Sequence, residues 1–346
     1  MKKICLPNES VALVTDRLIR KYLTGVDIAD GVLVVGDRSA YFTDARYFYA
    51  AKKTLERVGV DAKLYTGLNC VFDFIKELKA KSVMVDYLTT TVKEYNDYLN
   101  FGFEVKDLSN ILIELRSIKS EEEIALIKKA CEIAQNAYRA AIKEVKEGIT
   151  ELQLKSIIEQ KIIELGGDGA SFDIIVAFGE NSAVPHHETG ETALEKNSVI
   201  LVDMGALIKG YMSDLTRTAF FGTPDKKFID CYKAVKEANE LAEEKIVEGT
   251  KACDADAIAR DYLRTKNLDE YFTHSLGHGV GIEIHEYPTL SKRCDAILKE
   301  NTVFTVEPGV YFDGEFGIRI EDTVVIKDKK VQRLITDDKE LLIIKN

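Results

Sequence analysis

Apolar spacing divides this chain into a mixed first third and two later blocks in which a pair of helices precedes a set of strands. Gly31-Val32-Leu33-Val34-Val35-Gly36 and Ala40-Tyr41-Phe42-Thr43 predict a hairpin turning at Asp37-Arg38-Ser39. A helix is expected over Tyr47 to Val58, a strand over Ser82 to Asp86 and a helix over Thr91 to Phe101. Strands separated by helical stretches indicate a sheet covered by helices. Near Leu115-Arg116-Ser117-Ile118-Lys119 the pattern changes, so the expected division is 1–116 and 117–346. Ser120 with Glu123 forms a capping box. Ile124, Ile127, Cys131, Ala134, Tyr138, Ile142 and Val145 then recur at helical spacing until Gly148. Thr150 opens a second helix, which Gly166-Gly167 stops.

From Phe172 the texture turns to strands. Phe172 to Phe178 is one; Ser198 to Ala206 and Tyr211 to Phe221 form a hairpin. Helices follow over Pro224 to Val247 and Asp254 to Lys266, then strands over Val303 to Glu307 and Gly317 to Ile326. The order is compatible with a duplicated α+β unit, although the halves share no sequence identity. Cys253, Asp254 and Asp256 read as ordinary helix-entry residues.

Composition excludes several classes. The 346 residues carry a net charge of −11, which argues against a nucleic-acid partner needing a basic face. No stretch approaches the ~20 apolar residues of a membrane span. Six scattered cysteines without a CxxC pair suit reduced thiols in cytoplasm. All five histidines, His186, His187, His274, His278 and His285, lie in the second half of the chain.

Four segments carry chemistry. Val199-Ile200-Leu201-Val202 is apolar and delivers Asp203 at its end. A loop centred between Ile208 and Lys209 sets Asp203 opposite Asp214, with Cβ atoms roughly 4.5–5.5 Å apart; a slip of two makes them diagonal. Carboxylates that close require a cation or a shared proton. His278 stands between glycines in Gly277-His278-Gly279-Val280-Gly281, with His274 and His285 nearby. Val303 to Val306 delivers Glu307 ahead of Pro308-Gly309. In Gly317 to Thr323, period two puts Arg319, Glu321 and Thr323 on one face and Ile318, Ile320 and Asp322 on the other. Four carboxylates and one imidazole suit two divalent ions such as Mn²⁺, Co²⁺ or Zn²⁺. Such a pair can activate a bridging water.

The segments VDMGALIKGYMSDLTRT, HSLGHGVGIEIHEYP, TVEPGVY and GIRIEDT resemble the pita-bread (M24) metallopeptidases, a family including methionine aminopeptidase, prolidase and aminopeptidase P. IRKYLTG and TDARYFYAA resemble the N-terminal domain of prolidase and aminopeptidase P. The resemblance implies an α+β fold: a pita-bread catalytic domain preceded by an α/β creatinase-like domain. It implies that Asp203 and Asp214 hold one ion, with Asp214 reaching across to the second, that His278 and Glu307 hold the second, and that Glu321 bridges them. Glu307 takes the general-base position and His285 contacts the scissile amide. His186 and Tyr311 match substrate-pocket positions, His274 a proton shuttle and Arg319 an arginine that orients carboxylates. His187 matches no motif position. The implied substrates are proline-containing peptides and the implied assembly is a homodimer. Aminopeptidase action on Xaa-Pro peptides is expected ahead of dipeptidase action. A dipeptidase needs a cation for the product carboxylate, for which Lys292 and Arg293 are candidates. A non-catalytic relative or a metal-independent creatinase is disfavoured, because all five donor positions are filled.

Overall fold

The computed structural model describes residues 1–345, which divide by internal contacts into one unit ending at Leu115 and another beginning at Arg116. Among the described residues no helix is long and apolar enough to cross a membrane.

The first unit is built on a six-stranded sheet in the order Val60–Leu64, Ser39–Thr43, Val32–Val35, Ser10–Val14, Ser82–Val85, Glu104–Asp107. Its centre is antiparallel and its outer pairs are parallel. Val11, Leu13, Val34, Phe42 and Val83 pack with Phe72, Phe74 and Ile75 of helix Leu68–Glu77. The expected hairpin pairs Val32 with Phe42. The helix expected at 47–58 runs Ala45–Arg57, capped by Asp44, and that expected at 91–101 runs Val92–Leu99, closed by a capping box on Thr91.

The second unit has the two expected helical pairs. Glu121–Ala141 begins at the capping box, where the Glu123 N–H donates to Ser120 Oγ (3.3 Å) and the Ser120 N–H donates to Glu123 Oε2 (2.8 Å). With Glu151–Glu164 it buries Ile127, Ala134, Leu154 and Ile158 against Val176, Ile200, Val202 and Leu215. That sheet runs Leu342–Ile344, Leu215–Phe221, Ser198–Met204, Ile175–Phe178. Helices Lys226–Lys245 and Ala252–Thr265 pack Val235, Ala238, Ala259 and Leu263 against Phe304, Val306, Ile320 and Val324. The second sheet runs Glu286–Leu290, Gly277–Gly279, Val303–Val306, Asp322–Lys327, Lys330–Arg333.

Two expectations need correction. The strand expected over 317–326 is two strands, Phe316–Arg319 and Asp322–Lys327, because its partner also breaks. Phe316–Arg319 pairs with Gly309–Phe312, Asp322–Lys327 pairs with Val303–Val306, and Glu307-Pro308 lies between those partners. Proline lacks the N–H that a continuous ladder would need. The long hairpin is also offset by two residues. Lys209 (φ 50°) and Gly210 (φ 85°) are both left-handed, so they form the two-residue turn and pair Ile208 with Tyr211. Asp203 therefore faces Thr216, with Asp214 on the diagonal.

Removing the cap in Ser120→Ala should destabilise the second unit by about 1 kcal/mol. A lower urea midpoint with unchanged turnover is the expected result.

Candidate active site

The strand ends and breaks just described bring the chemistry-bearing residues to one cavity of about 570 Å³. Its lining includes Asp203, Asp214, His278, Glu307, Arg319 and Glu321. Each carboxylate has its own brace. Asp203 Oδ2 accepts from Arg319 Nη2 at 2.6 Å. Glu321 Oε2 accepts from the Thr216 hydroxyl at 2.6 Å, and Arg319 Nε donates to that same Oγ1 at 3.0 Å. Glu307 Oε1 accepts from the Thr305 hydroxyl at 3.2 Å. The backbone of Asp214 is clasped by Thr323, whose hydroxyl accepts from its N–H (3.2 Å) and donates to its C=O (2.7 Å). The period-two face of Arg319, Glu321 and Thr323 thus meets Asp203, Thr216 and Asp214 in turn.

His278 completes the group. Gly277 and Gly279 flank it because the neighbouring backbones pass so close: an added Cβ would meet Thr305 O at 2.0 Å and Tyr287 O at 2.6 Å. His278 Nδ1 is 3.1 Å from Gly279 O, an atom that can only accept, so Nδ1 carries the proton. The Nε2 lone pair then points at Asp214 Oδ2 (3.5 Å) and Glu307 Oε1 (3.4 Å).

This donor set fits divalent cations. One donor atom each from Asp214, His278 and Glu321 lies within 4.8 Å of the others. Asp203 Oδ1, Asp214 Oδ1 and Glu321 Oε1 are buried and make no hydrogen bond among the described residues. Burial, then repulsion from neighbouring carboxylates, raises Asp214 and Glu321 well above the ordinary carboxylate range. Burial raises Glu307 to about 8, against the pull of Arg319. Burial lowers His278 to about 4, which keeps its imidazole neutral and able to donate a lone pair. Buried lone pairs aimed at one another are costly unless a cation or a shared proton lies among them.

The other expected residues divide by exposure. His186 and His285 are exposed on the cavity wall, and the His285 ring stands edge-on to His278 with centroids 4.4 Å apart. His274 lines the cavity and is held between Ser275 O (2.8 Å from Nδ1) and the Tyr311 hydroxyl (2.9 Å from Nε2). Burial, with Arg319 adding, lowers it to about 3. Tyr311 is not among the described lining residues; its hydroxyl accepts from Arg319 Nη1 at 2.7 Å. Lys292 and Arg293 are not in the lining either.

Three buried groups escaped the sequence reading. Asp256 is a brace rather than an ordinary helix-entry residue. It is fully buried, accepts the Leu276 N–H (3.0 Å) and binds Arg260, which in turn donates to Phe272 O and His274 O. The i, i+4 Asp-Arg pair was the available signal. Glu151 accepts from the Phe178 and Gly190 N–H groups and the Asn181 amide, and lies 2.9 Å from His187 Nε2, which gives that histidine a structural partner. Glu286 accepts the Ile282 and Glu283 N–H groups and pairs with Lys119 (3.0 Å) and Arg116 (2.8 Å), fixing the turn that carries His285.

Comparison with known proteins identifies the family. The model of metallopeptidase family M24 matches residues 125–328, and that of the creatinase/prolidase N-terminal domain matches residues 8–118. The chain belongs to metallopeptidase family M24. It is a metal-dependent peptidase with the fold that its motifs implied, and family membership implies divalent metal ions. This M24 chain is 35% identical over 323 residues to the Xaa-Pro dipeptidase of Pyrococcus furiosus, covering 93% of this chain and 92% of that one. A solved Xaa-Pro dipeptidase from Bacillus anthracis superposes with a TM-score of 0.93 at 34% identity, covering 96% and 95% of the two chains. An X-Pro aminopeptidase from Thermotoga maritima gives 0.89 at 31% identity, covering 97% of each.

Burial alone would raise the Glu286 carboxyl, but Lys119 and Arg116 outweigh it and hold it below its ordinary 4.5. A depressed folded-state value adds stability above about pH 4.5 that is lost as pH falls below it. Urea midpoints measured from about pH 5 down to about pH 3 should therefore fall less steeply in Glu286→Gln than in the wild type.

Proposed function

We propose that this M24 peptidase is an Xaa-Pro dipeptidase using two divalent ions. In this reading residues 1–116 form its creatinase/prolidase-like domain and residues 117–346 its catalytic domain. The observation that carries the metal reading is the convergence of Asp214, His278 and Glu321 donor atoms within 4.8 Å, with buried oxygens beside them that make no hydrogen bond among the described residues. Support for dipeptide substrates comes from relatives. The Xaa-Pro dipeptidases of P. furiosus and B. anthracis align over more than nine-tenths of both chains. They favour the dipeptidase over the aminopeptidase action expected from the sequence.

Asp203 and Asp214 would hold one ion, His278 and Glu307 the other, and Glu321 both. Bound ions of this kind supply Lewis-acid activation of water and of the scissile carbonyl. The chain's own groups do the rest. Glu307 accepts the proton of the attacking water and passes it toward the proline nitrogen. His285, exposed at the cavity mouth, donates to the carbonyl oxygen as negative charge develops there. His186, exposed in the lining of the same cavity, contacts the substrate. His274, neutral and bonded to Tyr311, links the site to a hydroxyl through which a proton can move. Arg319 and Tyr311 keep Asp203 aimed. Proline's own amide nitrogen bears no hydrogen before cleavage and is closed into an apolar ring, which the side chains of Phe172, Ile175, Pro185 and Ile284 in the cavity wall suit. The cavity volume lies in the range typical of small-ligand sites.

Aminopeptidase action is the second reading, favoured by the T. maritima neighbour. Ala-Pro and Ala-Pro-Ala separate the two: the dipeptidase reading requires kcat/KM about tenfold or more higher for the dipeptide. Equal or better cleavage of the tripeptide reverses the assignment. Glu307→Gln should lower kcat by about 10²–10⁴. Asp214→Ala should lose bound metal by elemental analysis; a full metal complement there counts against the ligand set.

A further inference from the structure

Behind the candidate metal site lies a second cluster of buried charge that the mechanism does not use. Asp322, fully buried, pairs with Arg217 Nη2 (2.7 Å), Arg333 Nε (2.7 Å) and Lys339 Nζ (2.9 Å). Lys339, 4% exposed, also bonds Asn239 Oδ1 and Glu243 Oε2 (2.5 Å), which lie one turn apart on helix Lys226–Lys245. Two further groups of this cluster donate to backbone carbonyls. Asn239 Nδ2 donates to Val306 O (2.7 Å) and Ile320 O (3.1 Å). Arg217 Nη1 donates to Glu321 O (2.6 Å) and Thr216 O (3.0 Å). Three of those carbonyls belong to peptide units that include Glu307 or Glu321. The fourth belongs to Thr216, whose hydroxyl braces Glu321.

Lys339 reaches this place from a segment beyond the matched 125–328 stretch. Its carbonyl accepts from the Tyr232 hydroxyl (3.2 Å). The preceding residues are tied down by Gln135 Oε1, which accepts the Thr336 N–H (2.8 Å), and by Arg139, which pairs with Asp337. A lysine ammonium brings three donors and no acceptor, and here it has three acceptors. Without it, Asp322 and Glu243 would keep buried negative charge with fewer partners, and Asn239 would be free to turn its amide away from Val306 and Ile320.

We propose that Lys339 is a positioning residue for the metal site: through Asn239 and Asp322 it locks the backbone from which Glu307 and Glu321 project. The inference rests on the metal-site reading above. Partners that orient metal ligands from behind typically contribute about 10–100-fold to metal affinity.

The test uses full-length protein and Mn²⁺ alone, with free ion followed by electron paramagnetic resonance. Lys339→Met should weaken Mn²⁺ binding by about 10–100-fold, while Lys339→Arg should recover most of the loss. Lys339→Met/Glu243→Gln removes one charge of each sign and guards against a variant that fails to fold for want of charge balance. Near-UV circular dichroism and urea unfolding of the metal-free proteins report the fold separately. Lower metal-free stability with Mn²⁺ affinity within twofold of wild type, in either folded variant, overturns the proposal. So does failure of the double variant to fold, since Lys339 would then be needed for the fold itself. Wild-type protein that binds no Mn²⁺ would instead sink the metal-site reading.

Discussion

Four carboxylates and an imidazole nitrogen are made to face one another with little water to screen them, and the architecture of the second unit answers to that constraint. Repulsion among Asp203, Asp214, Glu307 and Glu321 would push each side chain to another rotamer. Three of the carboxylates are held by a threonine hydroxyl or a guanidinium, and the backbone of Asp214 by a threonine clasp. The braces come from β-branched threonines, stiff about χ1, and from a guanidinium whose planar fork is pre-organised. Arg319 is the most heavily used of them: one guanidinium serves Asp203, Thr216 and Tyr311, and through Tyr311 it reaches His274.

Much of this was legible along the chain because strands write their faces in alternate letters. In Gly317 to Thr323, Arg319 and Glu321 turned to the cavity while Asp322 met Arg217, Arg333 and Lys339 away from it, as period two requires. The glycines around His278 correctly signalled close backbone approach. The pairing offset was not legible from apolar positions, because a shift of two preserves every in–out assignment. Only the left-handed pair Lys209-Gly210 decides it. The break at Ile320-Glu321 was hidden for a related reason: the pattern continues across it while the partner strand changes.

What the chain concealed most fully were charges that are polar in composition and buried in fact. Asp256, Glu151, Glu286, Lys119 and Lys339 sit on helices, at the start of an edge strand, or on connecting and terminal segments, where acidic and basic residues ordinarily face solvent. Their partners are distant in sequence: Lys119 meets Glu286, and Lys339 meets Asn239. No local periodicity encodes such meetings. They become visible only when tertiary packing removes water from both members of the pair.

The donors of the cavity are spread from residue 203 to residue 321, and three of them are braced by residues more than a hundred positions away. Asp214 depends on Thr323, Glu321 on Thr216, and Asp203 on Arg319. Contacts of such long range close late, because loop entropy must be overcome before they reward the chain. A nascent polypeptide emerging from the ribosome therefore has no partial cage with which to scavenge ions. It reaches its native topology first, and loading with metal is an event in the life of the folded molecule.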